Sequence, residues 1–283
     1  MSAVEAFPAP AKINRMLRVV GQREDGYHLL QTVFQYLDLA DTLEFHSLSA
    51  GHFHRSPELA GVPEEQDLCL RAARLLADET GCREGVAITL HKSLPMGGGL
   101  GGGSSDAATT LMVLNQLWGC GLKRPDLMQL GLRLGADVPV FLFGRSAWAE
   151  GIGERLQALP ELSEPRFFLI HPGVSVQTAA IFRHPRLTRR HPPITISAFL
   201  AKAPTNTLEE LVRQLYPAVD DCLRWMATAG LVEPMLTGSG ACCFGRLGDG
   251  VEPENLLAGL PEGWRAWVVQ GRNRHPLHDL VKD

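Results

Sequence analysis

Leu94-Pro95-Met96-Gly97-Gly98-Gly99-Leu100-Gly101-Gly102-Gly103-Ser104-Ser105-Asp106 governs how the rest of the chain is read. Six of the seven residues from Gly97 to Gly103 are glycine, two hydroxyls and a carboxylate follow, and an apolar helical pattern begins at Ala107. Without a Cβ, glycine brings its backbone N–H close to an anion and enters positive φ freely. A loop of this kind that feeds a helix N-terminus adds unpaired amides and the positive end of the helix dipole. The ligand to look for is therefore a polyphosphate.

Three phosphate loops compete for this stretch. The P-loop, G-x-x-x-x-G-K-[ST], needs a lysine where Ser104 stands, and is close to excluded. Gly97, Gly99 and Gly102 match the dinucleotide fingerprint G-x-G-x-x-G literally, but Pro95 separates strand from loop, and no acid follows at about 20 residues. A loop that caps a long helix directly, starting near Ser104, fits best. Ser104 and Ser105 can then bond phosphate, help hold Mg²⁺, or simply cap the helix. Asp106 reads as a first-turn partner of the helix dipole rather than a catalyst.

The flanks set the fold class. Val86, Ile88 and Leu90 alternate, predicting a strand into the loop, and Ala107, Ala108, Leu111, Leu114 and Trp118 recur at helical spacing up to Gly119. Upstream, residues 11–20, 32–37 and 42–45 read as strands, with a turn at Asp25-Gly26, and 67–77 as a helix. Downstream, Pro125 opens a helix that Gly135 ends, and Asp137 leads into the apolar run Val140–Phe143. Residues 156–165 resemble a linker, 167–170 a buried strand, and 207–215 a helix capped by Asn206. A glycine-broken strand fits 235–244, and a last strand fits 264–269. Strands and helices mix without a regular βαβ repeat, which predicts an α+β fold.

Composition narrows the function classes. The 283 residues suit one large domain or two modest ones, and 45% hydrophobic residues can build real cores. A net charge of −4 argues against a nucleic-acid partner. Arg183, Arg186, Arg189 and Arg190 cluster among prolines and histidines, and read first as a solvated loop, second as an anion-binding surface. The six cysteines form no CxxC pair, and adjacent Cys242 and Cys243 read as small buried hydrophobes. No signal-peptide pattern opens the chain, and no apolar run reaches the roughly 18 residues of a membrane span. A soluble cytoplasmic protein with no membrane partner is expected.

Pro95 to Ala107 resembles the glycine-rich motif of the GHMP small-molecule kinases. Ala9-Pro10-Ala11-Lys12-Ile13-Asn14 is similar to that family's N-terminal motif, and Leu236-Thr237-Gly238-Ser239-Gly240-Ala241-Cys242 to its C-terminal glycine motif. Within the family, Lys12-Ile13-Asn14, Arg23-Glu24-Asp25-Gly26-Tyr27-His28, the loop, Gly135-Ala136-Asp137-Val138-Pro139 and Pro172-Gly173-Val174-Ser175-Val176 resemble one branch. Its members phosphorylate the 2-hydroxyl of a cytidine-diphosphate-linked methylerythritol in the non-mevalonate isoprenoid pathway. The resemblance runs from about residue 8 to about residue 245; the final stretch carries no usable motif.

The resemblance implies a two-domain α+β fold: an S5-like N-terminal domain over 1–158, a ferredoxin-like C-terminal domain over 159–283, and an active site in the cleft between them. It implies ATP, cradled by Pro95, Met96, Gly97, Gly98, Gly99, Leu100, Gly101, Gly102, Gly103, Ser104 and Ser105. Mg²⁺ is expected with ATP, although no carboxylate ligand for it can be named. Lys12 and Asp137 take the catalytic roles. Read alone, Lys12 is an edge residue and Asp137 a cap or salt-bridge partner; the resemblance makes Lys12 the group that offsets phosphoryl charge, and Asp137 a base or a hydroxyl-orienting acceptor. Asn14, Tyr27, His28, Thr178, Phe182, Gly238, Ser239 and Gly240 are the implied substrate contacts. Tyr27 and His28 fall at the cytosine, where a phenol ring stacks and an imidazole bonds the polar edge; ordinary turn packing is the alternative. A monomer or weak homodimer is expected. Two rival functions remain: a GHMP kinase for a sugar, homoserine or mevalonate-type alcohol, and a non-catalytic nucleotide sensor of the same fold.

Overall fold

The computed structural model describes residues 5–59, 61–201 and 204–283. Its backbone is a long antiparallel hairpin, β1 (Ala6–Gln22) and β2 (His28–Leu48), closed by a turn in which the Arg23 and Gly26 N–H groups donate to Tyr27 and Arg23 carbonyls. The segments 32–37 and 42–45 are thus one strand, because β1 pairs along the residues between them. β2 also pairs antiparallel with β4 (Gly85–His91), β5 (Ala147–Gly151) and β10 (Arg265–Arg272), along different stretches of its length.

The sheet runs β3 (Phe53–Ser56), β4, β2, β10, β7 (Arg166–His171), β9 (Cys243–Arg246), β8 (Val232–Leu236). β6 (Arg155–Ala158) pairs with β5, so the start of the stretch read as a linker is a strand. Helices α1 (Leu68–Thr80), α2 (Gly102–Leu117), α3 (Arg124–Leu134) and α4 (Val138–Phe143) pack their apolar faces against the first half of the sheet. Leu43, Ile88, Leu76, Leu111, Leu114 and Phe141 are buried there. Each such side chain removed from water contributes roughly 1.5–3 kcal/mol.

After the short helices α5 (Thr178–Arg183) and α6 (Ile196–Leu200), a second core joins α7 (Glu209–Leu215) and α8 (Pro217–Thr228) to β7, β8 and β9, around Phe168, Val212, Met226 and Leu236. Leu17 and Val19 of β1 belong to this second core, whereas Ala9 belongs to the first. A third cluster, Ala11, Ile13, Leu94, Leu100, Leu169, Cys242 and Phe244, lies along the seam beneath the glycine loop. Cys242 and Cys243 are buried free thiols.

Three local expectations need correction. α2 starts at Gly102, with Gly101 as N-cap at φ 74, so neither Ser104 nor Ser105 caps it. A glycine can hold that left-handed cap, and its carbonyl accepts from Ser105 N–H at 2.8 Å. α7 begins at Glu209, two residues later than expected, although the Asn206 side chain does make the expected local bond: its Oδ1 accepts from Leu208 N–H, and its Nδ2 donates to Leu236 and Gly238 carbonyls. Asp106 partners Lys92 rather than the helix dipole. Among the described residues, no helix is long and apolar enough to cross a membrane.

The last residues return to the first core. Arg124, almost fully buried, donates to the carbonyls of Leu142, His278 and Val281 and pairs with Asp283. This clamps α4 from behind, and Tyr36 Oη, donating to Val140 O at 2.6 Å, holds it from the sheet.

Candidate active site

Strand alternation puts Lys12 and Asn14 on the same face of β1, with Ile13 between them in the seam cluster. Lys12 is buried at 2% exposure, so it is no edge residue. Its ammonium donates to Asn14 Oδ1 at 2.8 Å and to Gly99 O at 3.0 Å, and lies 3.4 Å from Asp137 Oδ2. It also sits 5.3 Å above the Phe34 ring. The three protons of an ammonium are thereby matched by three oxygens. Asn14 is fixed in turn, with Nδ2 donating to Thr32 Oγ1 at 2.8 Å and its backbone N–H donating to Thr237 Oγ1 at 3.0 Å.

Asp137 precedes α4 in the N-cap position but makes no side-chain cap. Its carboxylate is therefore left to Lys12 and to the cavity, and its side chain is 40% exposed. The helix it precedes is short and apolar, and is anchored at Val140 and Leu142 as described above.

The glycine loop folds back onto the C-terminal glycine motif. Cys242 N–H donates to Gly98 O at 3.1 Å, and Lys12 N–H to Leu100 O at 2.9 Å. Gly99 has φ 77, and a Cβ there would lie 2.4 Å from Thr237 O. That close approach, with Gly97, Gly99 and Gly101 all at positive φ, explains why glycine is required at this turn.

Lys12, Asn14, Asp137, Pro95 through Ser104, Thr178, Phe182, Gly238 and Ser239 line one cavity of about 570 Å³. That volume lies within the usual range for small-molecule sites. Ser105, Tyr27, His28 and Gly240 are not on its wall. The Ser105 hydroxyl is buried and has no hydrogen-bond partner among the described residues. Tyr27 is 60% exposed in the hairpin turn. His28 reaches the cavity indirectly, its ring stacked against Phe182 at 5.1 Å between centroids. Thr178 and Ser239 share a hydrogen bond at 2.7 Å.

Several wall residues escaped the sequence reading. Lys92 pairs with Asp41 and, at 2.9 Å, with Asp106 Oδ2. Asp41 Oδ1 also accepts from the Ser93 and Leu94 N–H groups at 2.6 and 2.8 Å, so it ties the loop's entry to β2. Burial alone would lower the Lys92 pKa, but the Asp106 and Asp41 carboxylates outweigh it and raise it. Burial raises Asp106 above the usual carboxylate range, with Asp41 adding to the rise against the pull of Lys92. A lysine two residues before Leu94 was the one available signal; Asp41, more than 50 residues away, gave none. Leu59, Val62, Leu68 and Leu90 form an apolar end of the cavity that no motif marked. Arg189, grouped with solvated arginines, instead donates from Nε to His28 Nε2 at 3.1 Å, while Arg183, Arg186 and Arg190 are exposed.

The GHMP kinases N terminal domain matches residues 67–145, and the GHMP kinases C terminal domain matches residues 185–266. The chain belongs to the GHMP kinase family. This GHMP kinase is 50% identical over 282 residues to the 4-diphosphocytidyl-2-C-methyl-D-erythritol kinase of Chromohalobacter salexigens, covering 98% of this chain and 94% of that one. It is 49% identical over 276 residues to the protein of the same name from Nitrosococcus oceani, covering 98% of each. A solved 4-(cytidine 5'-diphospho)-2C-methyl-D-erythritol kinase superposes with a TM-score of 0.83 at 35% identity, over 94% of this chain and 99% of that one. A mevalonate kinase superposes at 0.72 with 15% identity, over 95% and 100% of the two chains, which shows the shared two-domain fold.

Proposed function

We propose that this GHMP kinase transfers the γ-phosphoryl group of ATP to the 2-hydroxyl of 4-diphosphocytidyl-2-C-methyl-D-erythritol, giving the 2-phosphate and ADP. The observation that carries the chemistry is the Lys12–Asp137 pair, 3.4 Å apart, on a cavity whose other wall is the glycine loop. Similarity over nearly the whole chain to kinases named for this substrate supports the choice of acceptor.

In this reading, the loop from Pro95 to Ser105 receives the triphosphate on backbone N–H groups and the N-terminus of α2. The apolar end at Leu59, Val62, Leu68 and Leu90 takes the adenine. The substrate 2-hydroxyl lies between Asp137 and the γ-phosphorus. Its oxygen attacks phosphorus, the bond from phosphorus to the β,γ-bridging oxygen breaks, and the hydroxyl proton passes to Asp137 and then to water. Lys12, held by Asn14 and Gly99, supplies a fixed positive charge to the transferring group and costs no reorganisation when charge develops. Its contact with Asp137 favours the hydroxyl-orienting side of that residue's role until the proton is released by phosphorus–oxygen bond formation.

Mg²⁺ bound with ATP would neutralise β- and γ-phosphate charge. No group of three or more metal-ligating side chains exists among the described residues. The donors that fit are the phosphate oxygens, with the Ser104 hydroxyl on the cavity wall. Thr178, Ser239 and the Gly238 backbone lie where the polyol would bind, and Phe182, His28 and Tyr27 where the cytosine would bind. The same reading divides the chain at residue 158, and places a cytoplasmic monomer or weak homodimer in the non-mevalonate isoprenoid pathway.

The test is a direct assay with ATP and Mg²⁺, offering the cytidyl substrate beside mevalonate, homoserine and galactose. ADP should form with the cytidyl substrate and not with the plain alcohols. Turnover confined to a plain alcohol would overturn the substrate, and no ADP with any acceptor would overturn catalysis.

A further inference from the structure

Arg189 leaves the loop after α5 (Thr178–Arg183) and turns its guanidinium inward. Nη1 donates to Leu187 O at 3.0 Å, and Nη2 donates to Phe182 O at 3.2 Å and to His184 O at 2.9 Å. Nε donates to His28 Nε2 at 3.1 Å. A guanidinium has donors only and stays charged at any ordinary pH. The ring nitrogen it meets must therefore present a lone pair. A neutral imidazole with its lone pair on Nε2 carries its proton on Nδ1. Burial and the Arg189 charge both lower the His28 pKa, which keeps the ring in that neutral form. Nδ1 has no hydrogen-bond partner among the described residues, so the ring offers one N–H donor that the protein does not use. The Phe182 ring, on the cavity wall, lies 5.1 Å from the imidazole between centroids and is tilted 38° from it.

We propose that Arg189 is a specificity-determining positioning residue: by occupying Nε2 it fixes the His28 proton on Nδ1, and the imidazole so fixed selects cytosine over uracil. The proposal rests on the reading that the cytosine lies at Tyr27, His28 and Phe182. The two pyrimidines differ along their Watson–Crick edge. Cytosine has an acceptor at ring N3 beside an amino donor, whereas uracil has an N–H donor at N3 beside a carbonyl. A fixed Nδ1–H complements the cytosine N3 lone pair and confronts the uracil N3–H with a second donor. An imidazole free to exchange its proton between its nitrogens could meet either base. A fixed one discriminates because the wrong base leaves two donors face to face and unpaired.

The experiment has two arms. In the first, ¹⁵N NMR of the intact wild-type protein at neutral pH reads the His28 ring. Protonated Nδ1 with unprotonated Nε2 supports the proposal; protonation at Nε2, or at both nitrogens, overturns it. This arm needs no substitution and stands even where a variant folds poorly. In the second, kcat/KM is measured for the cytidine diphosphate substrate and for its uridine counterpart, in wild type and in Arg189→Met. Wild type should prefer the cytidine compound, and the variant should lose that preference by about tenfold, the scale of one hydrogen bond to a polar partner. The KM for ATP should not change. A merely structural Arg189 would lower both kcat/KM values together and leave their ratio unchanged, which overturns the proposal while the cytosine reading stands. A wild type that does not distinguish the two bases overturns the cytosine reading itself, and the proposal with it.

Discussion

Lys12 Nζ and Asp137 Oδ2 meet at 3.4 Å, although one belongs to the first strand and the other to the residue before α4. The lysine is buried and bonded on its other sides by Asn14 and Gly99, so the pair is rigid at one end and open to the cavity at the other.

Asp137→Asn should therefore lower kcat by roughly 10²–10⁴-fold, the usual worth of a positioned proton acceptor, and leave ATP affinity nearly intact. Steady-state kinetics with a separate nucleotide titration checks this; near-normal turnover would remove Asp137 from the mechanism. Lys12→Met should also depress kcat, with a smaller effect on stability, since the carboxylate it abandons is partly exposed.

Gly99→Ala places a methyl group against the Thr237 carbonyl at a φ of 77, where an L residue is strained. The strain should cost about 1–3 kcal/mol and shift the loop. The expected outcome is a raised KM for ATP and a lower melting temperature; an unchanged KM would show that the loop does not hold the nucleotide as described.

Lys92→Met strands the Asp41 and Asp106 carboxylates in a buried site. Removing one partner of a buried ionic group costs about 3–5 kcal/mol. Lys92→Met combined with Asp106→Asn should recover part of that loss, because one of the two stranded charges is gone. Urea melts of the single and double variants measure the difference, and equal midpoints would argue against the coupling.

His275 packs edge-on to Tyr36 at 5.6 Å, and its Nε2 is buried with no partner among the described residues. Burial, with His278 and Arg124 nearby, lowers its pKa from 6.5 to about 3. A histidine depressed in the folded state binds a proton more readily when unfolded. Its contribution is thus fully present above pH 6.5 and is lost as pH falls from 6.5 towards 3. The slope from this one group is about 1.4 kcal/mol per pH unit. His275→Gln should flatten the fall in stability between pH 6.5 and 5 by about that amount; an unaltered slope would assign the acid sensitivity to other groups.

Hydrophobic spacing located α1 and α3, because each buries an apolar stripe and is capped by a glycine, Gly81 or Gly135; it also located α2, which is buried on all sides from Ser105 to Asn115 and ends at Trp118, just before Gly119. The same spacing split β2 in two, since nothing in 38–41 announces that neighbouring strands hold it extended. Local propensity favours a serine hydroxyl at the cap of α2, whereas the positive φ of Gly101 and its close approach to Phe141 and Lys12 demand glycine there.

By itself, the sequence determined the kind of ligand, the α+β class and the family, and singled out Lys12 and Asp137 as the proposed catalytic pair, because each is carried by contiguous motifs whose backbone chemistry is local: the glycine run at 97–103, Lys12-Ile13-Asn14 and the Asp137 turn. Only the tertiary structure decided what surrounds them. Asp41 and Lys92 become a buried ionic cluster because β2 and β4 are neighbours. Arg189 becomes a partner of His28 because a loop 161 residues away folds over the hairpin turn. Arg124 becomes the brace of α4 because the tail of the chain returns to the first core. Charge pairing and tautomer selection depend on distances of a few ångströms across the fold, and no spacing along the chain encodes them.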